Sequence, residues 1–283
     1  FSENQANQGG GMYNLNSSPS VTHCSFLGNQ APLFGGGMYN DDSSPSVTNC
    51  SFSGNQALSG GGMYNVLFSN PTLTNCILWG NSTEVFTFPN SNPTYTKTLV
   101  KGLNLGSGVF DGTQDPLFVS QPNFSNAPTT AGDLRLQPCS PAINAGDPST
   151  TSATVGNVDL AGNPRFYNNG RVDMGAYEYQ GNAVTQPTAS ASTTTGNVCV
   201  GNTINLSVSG GNTFSWAGPS NFNSTAQEPS FVGSSTSYSG LYTVSVSNQD
   251  CPLTATATVS VQVNANPTAG INPSGTSICA GGS

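Results

Sequence analysis

Seven cysteines, thirteen acidic side chains, five basic ones and a single histidine are the residues through which this 283-residue chain could do chemistry. Cys24, Cys50 and Cys76 recur at a near-constant interval, and each is followed two residues later by an apolar side chain, Phe26, Phe52 or Leu78. That i, i+2 spacing belongs to one face of a strand, so the three thiols are expected to form a buried, inert structural column. In-register side chains point in parallel, which is poor disulfide geometry, and no recurring His or carboxylate completes a zinc ligand set. His23 has Asn49 and Asn75 as counterparts, so it reads as a polar corner residue rather than a base. Residues 1–82 hold only Glu3, Asp41 and Asp42 as acids and no Lys or Arg. A lyase needs an acidic cluster holding Ca²⁺ with a cationic base nearby, and a glycoside hydrolase needs two close carboxylates. Asp41-Asp42 is the one adjacent pair there; it reads as a solvated turn, with a weak Ca²⁺ site as the alternative. No other cofactor or metal site is expected, and no catalytic residue is assigned.

The elements that position these residues come from an internal repeat. Gly9-Gly10-Gly11-Met12-Tyr13-Asn14 returns at Gly35–Asn40 and Gly60–Asn65, and Ser20-Val21-Thr22 returns at Ser46-Val47-Thr48 and Thr72-Leu73-Thr74. The period is 25 to 26 residues. Runs of glycine followed by β-formers exclude a helical repeat. About three short strands per unit remain, each coil pairing with the next through a parallel ladder at roughly 4.8 Å. Asn4, Asn29, Asn55 and Asn81 then stack as a structural column whose amides satisfy corner backbone groups. Phe1–Ala6 aligns with Phe52–Ala57, so the chain is expected to enter partway through a coil.

These phrases resemble the right-handed parallel β-helix of the pectin-lyase-like superfamily, and more narrowly the repeats of polymorphic-outer-membrane-protein-like surface proteins. Segments further on, Asp115–Val119, Asp133–Leu136, Ser140–Asp147, Asp159–Arg165 and Val172–Tyr179, resemble the terminal coils and cap of secreted β-helix proteins of the choice-of-anchor type. The resemblance implies a Bacteroidota-type surface protein exported by the type IX system. Thr94–Gly102 reads as one strand of this region, and 83–180 as terminal coils and a cap closing the solenoid end. Asp111, Asp115, Asp147, Asp159 and Asp173 read as turn formers, with Arg165 and Arg171 expected to pair with Asp159 or Asp173.

A Gly/Asn/Thr/Pro linker, 181–190, leads to a second alternation. Strand-like runs and clean period-2 alternation from Leu253 to Val263 indicate a β-sandwich over 187–265. Cys199 and Cys251 flank Trp216 and are expected to pair, a loop closure worth about 4 kcal/mol in the chain-entropy view. Cys139 has no obvious partner. The module resembles Ig-like or PKD-like domains, and Pro267-Thr268-Ala269 twelve residues before Cys279 repeats Pro187-Thr188-Ala189 before Cys199, so 266–283 is expected to begin a second repeat. The fold class is all-β: a right-handed parallel β-helix followed by Ig-like β-sandwich repeats.

Charged residues make up 6% of the chain and the formal net charge is −8, so no basic patch exists for nucleic acid, and no apolar run is long enough to span a bilayer. The expected function is a non-enzymatic extracellular adhesin or appendage subunit, with the β-helix on an Ig-like stalk. Its partners would be carbohydrate, cell-surface ligands or copies of itself in a homo-oligomeric fibre. The alternative is a polysaccharide lyase or hydrolase with Ig-like accessory domains. Ice or mineral binding is set aside because the Thr positions do not read as a sustained two-per-coil array.

Overall fold

The computed structural model describes residues 1–103 and 112–267, an all-β chain in two compact units, Phe1–Ala183 and Val184–Ser283. Asp111, Cys279 and almost all of the anticipated second repeat lie outside the described residues.

The first unit is a β-solenoid of about three turns, with three parallel sheets each four strands deep. Sheet one stacks Met12–Leu15, Met38–Asp41, Met63–Val66 and Val85–Thr87. Sheet two stacks Ser20–Thr22, Ser46–Thr48, Thr72–Thr74 and Thr94–Thr96. Sheet three stacks Ser25–Leu27, Ser51–Ser53, Ile77–Leu78 and Leu99–Val100. Strands this short turn corners because single residues take the left-handed conformation: His23, Asn49, Asn75 and Lys97 have φ between 44° and 53°, a region that Asn tolerates best among non-glycines. Alternate side chains point inward, so Val21, Val47 and Leu73, Phe26, Phe52 and Leu78, and Met38 and Met63 build one buried core. Phe26 and Phe52 stack with centroids 4.3 Å apart.

Thr94–Gly102 is not one strand. It breaks at the Lys97 corner into Thr94–Thr96 and Leu99–Val100, which complete a fourth coil. Thr94 pairs with Thr72, so this coil is 94 − 72 = 22 residues long.

The expected end cap is placed differently. Residues 117–179 form a saddle along the side of the solenoid, across sheet three. An antiparallel pair, Phe118–Ser120 with Asp133–Leu136, packs Phe118, Leu134 and Leu136 with Ile77, Trp79 and Leu99 on the outward face of that sheet. The saddle approaches successive coils at equivalent glycines. Thr129 N donates to Gly28 O at 2.9 Å, a Cβ on Gly54 would meet Pro122 at 2.6 Å, and one on Gly80 would clash with Gln121. Burying the outward apolar side chains of sheet three is the driving force.

The second unit has a three-stranded sheet (Ser190–Thr193, Thr203–Ser209, Ser230–Val232) and a five-stranded sheet (Asn197–Cys199, Thr254–Asn264, Gly240–Ser247, Thr213–Gly218, Phe222–Ser224). Ile204, Leu206 and Val208 of the first meet Trp216, Tyr242 and Val244 of the second in one buried core.

Candidate functional site

The cysteine column is a hydrogen-bonding device. Cys50 Sγ donates to Thr48 O at 3.2 Å and accepts from Cys24 N at 3.3 Å, and Cys76 Sγ donates to Thr74 O at 3.3 Å. In the fourth coil Thr98 takes the same place: its hydroxyl accepts from Cys76 N and donates to Thr96 O. A position that accepts either thiol or hydroxyl selects a small group able to bond the backbone, not a nucleophile. Burial drives the Cys50 thiol well above its ordinary range, and its hydrogen bond with Cys50, then burial, does the same to Cys24. A thiol held protonated is unreactive.

Asn4, Asn29, Asn55 and Asn81 form the expected ladder, each Nδ2 donating to the next Oδ1 at 2.8 to 2.9 Å. Glu84 closes it, its carboxylate accepting from Asn81 Nδ2 and from Gly80 N. A second buried ladder, Asn14 to Asn40 to Asn65, runs inside sheet one; its signal was the recurring Met-Tyr-Asn, where the inward Asn sits two residues beyond the inward Met. Gln5, Gln30 and Gln56 make a third file.

Asp41 ends a strand in register between Leu15 and Val66, and Asp42 takes φ 47° at an exposed corner. Among the described residues no group of three His, Cys, Asp or Glu side chains could hold a metal. His23 Nε2 is buried without a hydrogen-bond partner, and burial first, then Arg165, lowers its pKa to about 4. A neutral imidazole with no partner lacks the orienting contact a general base requires.

Among the described residues the saddle holds a dense cluster of ionisable groups, and it differs from the expected pairings. Arg165, fully buried, pairs with Glu178 at 3.5 Å rather than with Asp159 or Asp173, and its Nη2 donates to Ala176 O. Arg171 Nε donates to Asn144 O. Asp173 accepts from Asn144 N and Tyr179 N, Asp159 from Ala161, Asn163 and Glu178 N–H groups, and Glu178 from Asp173 N. Burial raises Asp173 to about 6 and Glu178 to about 8. Perturbed carboxylates beside a cleft can signal catalysis, and two open clefts of about 330 and 410 Å³ flank Glu178. Here, however, every one of the three carboxylates is committed to the backbone of the saddle it closes. The same saddle docks on the corner column: Asn49 Nδ2 donates to Asp173 O, and Asn75 Oδ1 accepts from Asp147 N.

The pairing of Cys199 with Cys251 is corrected. Both are disulfide-bonded, as is Cys139, but Cys199 is the register partner of Asn264 while Cys251 precedes Thr254. They therefore sit at opposite ends of the strand Thr254–Asn264, whose ten rises span about 33 Å, far beyond the roughly 7 Å that a disulfide allows between Cα atoms. Oxidised cysteines fit an oxidising compartment. Among the described residues no helix is long and apolar enough to cross a membrane.

All four strands of sheet two read Ser/Thr-x-Thr in register, with Val21, Val47, Leu73 and Tyr95 between them. Threonine holds both outward positions only in the last two coils, as expected, but counting Ser20 and Ser46 a hydroxyl array two per coil is present. No known protein-family model and no curated protein sequence matches the chain.

Proposed function

We propose that the chain is part of a non-enzymatic extracellular surface protein, an adhesin or appendage subunit in which a right-handed parallel β-helix is carried on Ig-like modules. The observation that carries this is the commitment of the chemistry-bearing groups. Cysteines, asparagines and buried carboxylates are hydrogen-bonded between coils or within the saddle, leaving repetitive outer faces as the functional surface. Repetition suits multivalent contact, in which many weak contacts add through effective concentration. The Ig-like reading is supported by the two sheets around Trp216 and by Tyr242, whose hydroxyl donates to Tyr238 O at 2.7 Å, as in a tyrosine corner. The disulfide-bonded cysteines support an extracellular location. Carbohydrate, cell-surface molecules or further copies of the chain are the partners. The test is binding of the purified chain to glycan arrays and cells, with electron microscopy for fibres. Absence of both binding and assembly sinks the reading. Polymer turnover that disappears in Asp41→Ala/Asp42→Ala would favour a β-helix lyase or hydrolase instead.

A further inference from the structure

Among the described residues, sheet two carries a polar array that the solenoid does not use to hold itself together. Ser20, Thr22, Ser46, Thr48, Thr72, Thr74, Thr94 and Thr96 face outward in two files, four ranks deep and without a bulge. None of these hydroxyls hydrogen-bonds to another group among the described residues. Other polar files behave differently: Ser43 and Ser69 hydroxyls accept from the backbone N–H one coil away, at 2.9 and 3.0 Å, and the Asn, Gln and Cys files are all bonded along the axis. On one side the flanking outward positions, Ser18, Ser44, Asn70 and Asn92, add no charge and no aromatic ring; on the other lies the corner His23, Asn49, Asn75 and Lys97, where the saddle meets Asn49 and Asn75.

We propose that this face binds ice. Strand spacing repeats the hydroxyls about every 4.8 Å along the axis. In tetrahedral water, hydrogen bonds of 2.7–2.8 Å place second-neighbour oxygens about 4.5 Å apart. The mismatch is about 0.3 Å per rank and about 1 Å over four ranks, small enough for each hydroxyl to anchor one lattice water. Six of the eight side chains are threonine, which is stiff at χ1, so at those positions hydroxyl and methyl are ordered before contact and little freedom is lost on binding. The eight side chains of the array carry no charge to hold a competing hydration shell; the one cation at its edge is Lys97, at the corner after Thr96. A glycan is disfavoured as the occupant, because sugar-sized ligands take concave sites with aromatic walls and convergent polar groups, and this face is flat and non-aromatic. The inference stands on the solenoid alone and goes beyond the adhesin reading, to which it would add ice as the ligand.

The test uses the full chain, fluorescently labelled, partitioning into a slowly growing ice hemisphere. Incorporation is expected, and Thr48→Tyr/Thr74→Tyr is expected to lower it by about tenfold or more, while Leu58→Tyr, at a side chain 74% exposed on another part of the coil, leaves it unchanged. Thr72→Lys, at a solvent-facing position, tests the same face if the double variant does not fold, with circular dichroism confirming the fold in each case. Exclusion of the folded wild-type chain from ice overturns the proposal, as does incorporation that the face substitutions do not alter. Retention on crystalline cellulose or chitin that the same substitutions abolish, without ice incorporation, reassigns the face to polysaccharide and overturns it as well.

Discussion

Truncating one rung of the asparagine ladder tests whether side-chain stacking, rather than apolar burial alone, holds the coils in register. Asn55 Oδ1 accepts from Asn29 N and Asn29 Nδ2, both at 2.9 Å, and its Nδ2 donates to Phe26 O and Asn81 Oδ1, both at 2.8 Å. In Asn55→Ala, Asn81 Oδ1 keeps its bond from Asn55 N, and Asn29 Nδ2 keeps Phe1 O. Asn29 N and Phe26 O lose their side-chain partner inside the solenoid. Asn29 N is left unsatisfied, at about 1–3 kcal/mol, while Phe26 O keeps its ladder bond and loses about 1 kcal/mol, so the expected loss is about 3 kcal/mol. With a urea slope of about 2 kcal/mol per M, the unfolding midpoint falls by about 1.5 M. Asn4→Ala is the comparison: Asn4 is exposed, and Asn29 Oδ1 still accepts from Asn4 N, so its loss stays under about 1 kcal/mol. Urea titration read by hydrogen exchange of coil peptides, with peptides from 203–263 as reference, separates the two. Equal shifts for Asn4→Ala and Asn55→Ala would refute the ladder as a source of stability.

Other consequences can be checked on the same material. Cys24, Cys50 and Cys76 should resist thiol-alkylating reagents in the native protein and react stoichiometrically in denaturant; rapid native labelling would contradict the buried column. Non-reducing peptide mapping should recover Cys199 and Cys251 in disulfides but never joined to each other. The saddle should weaken in alkali. Glu178 and Asp173 have folded pKa values raised to about 8 and about 6, so their contribution is fully present below the ordinary carboxylate range and is lost as pH rises through 6 to 8. His23, lowered to about 4, acts oppositely, its contribution being lost as pH falls from about 6.5 through 4. Between about pH 4.5 and 6 the two carboxylates outweigh the one imidazole, so limited proteolysis within 120–179 should slow as pH falls from about 8 to about 4.5, and a flat profile from pH 5.5 to 8.5 would count against the buried carboxylates.

The coils were legible because a solenoid writes its structure as a period. Inward Phe, Met, Cys and Asn recur at equal spacing, and each column repeats one environment. Legibility failed where the period changed or where distant segments meet. The Ser/Thr files continue into Thr94 and Thr96, but a 22-residue coil concealed the fourth rank inside an apparently longer strand. The saddle depends on contacts such as Ala176 N to Ser51 Oγ, 125 residues apart, which no local pattern reports. A trace existed all the same: the outward positions of sheet three include Leu27, Ile77 and Leu99 beside Ser25, Ser51 and Ser53, whereas those of sheet two are all hydroxyls. Outward apolar side chains clustered on one face of a solenoid announce a covering segment. For Cys199 and Cys251, the alternation from Leu253 to Val263 already implied one long strand, and its length separates the two thiols.

The saddle also gives the solenoid a ruler, a property that repetition alone would not supply. Identical coils could slip by a whole rank and recover nearly the same ladder, because Met12, Met38 and Met63 occupy equivalent places. The saddle is aperiodic, and it meets Gly28 through Thr129, Gly54 through Pro122 and Gly80 through Gln121. Those three contacts must be satisfied together, so they count coils. Inserting a duplicate of residues 30–55 after Asn55 adds one strand to each sheet and keeps every ladder intact, yet it moves Gly28 one rank, about 4.8 Å, away from Thr129 when Gly80 stays on Gln121. The coils of that variant should remain protected from hydrogen exchange while peptides from 120–136 lose protection. If the saddle peptides stay protected, the ruler is wrong, and apolar burial on Ile77, Trp79 and Leu99 is enough to place the saddle.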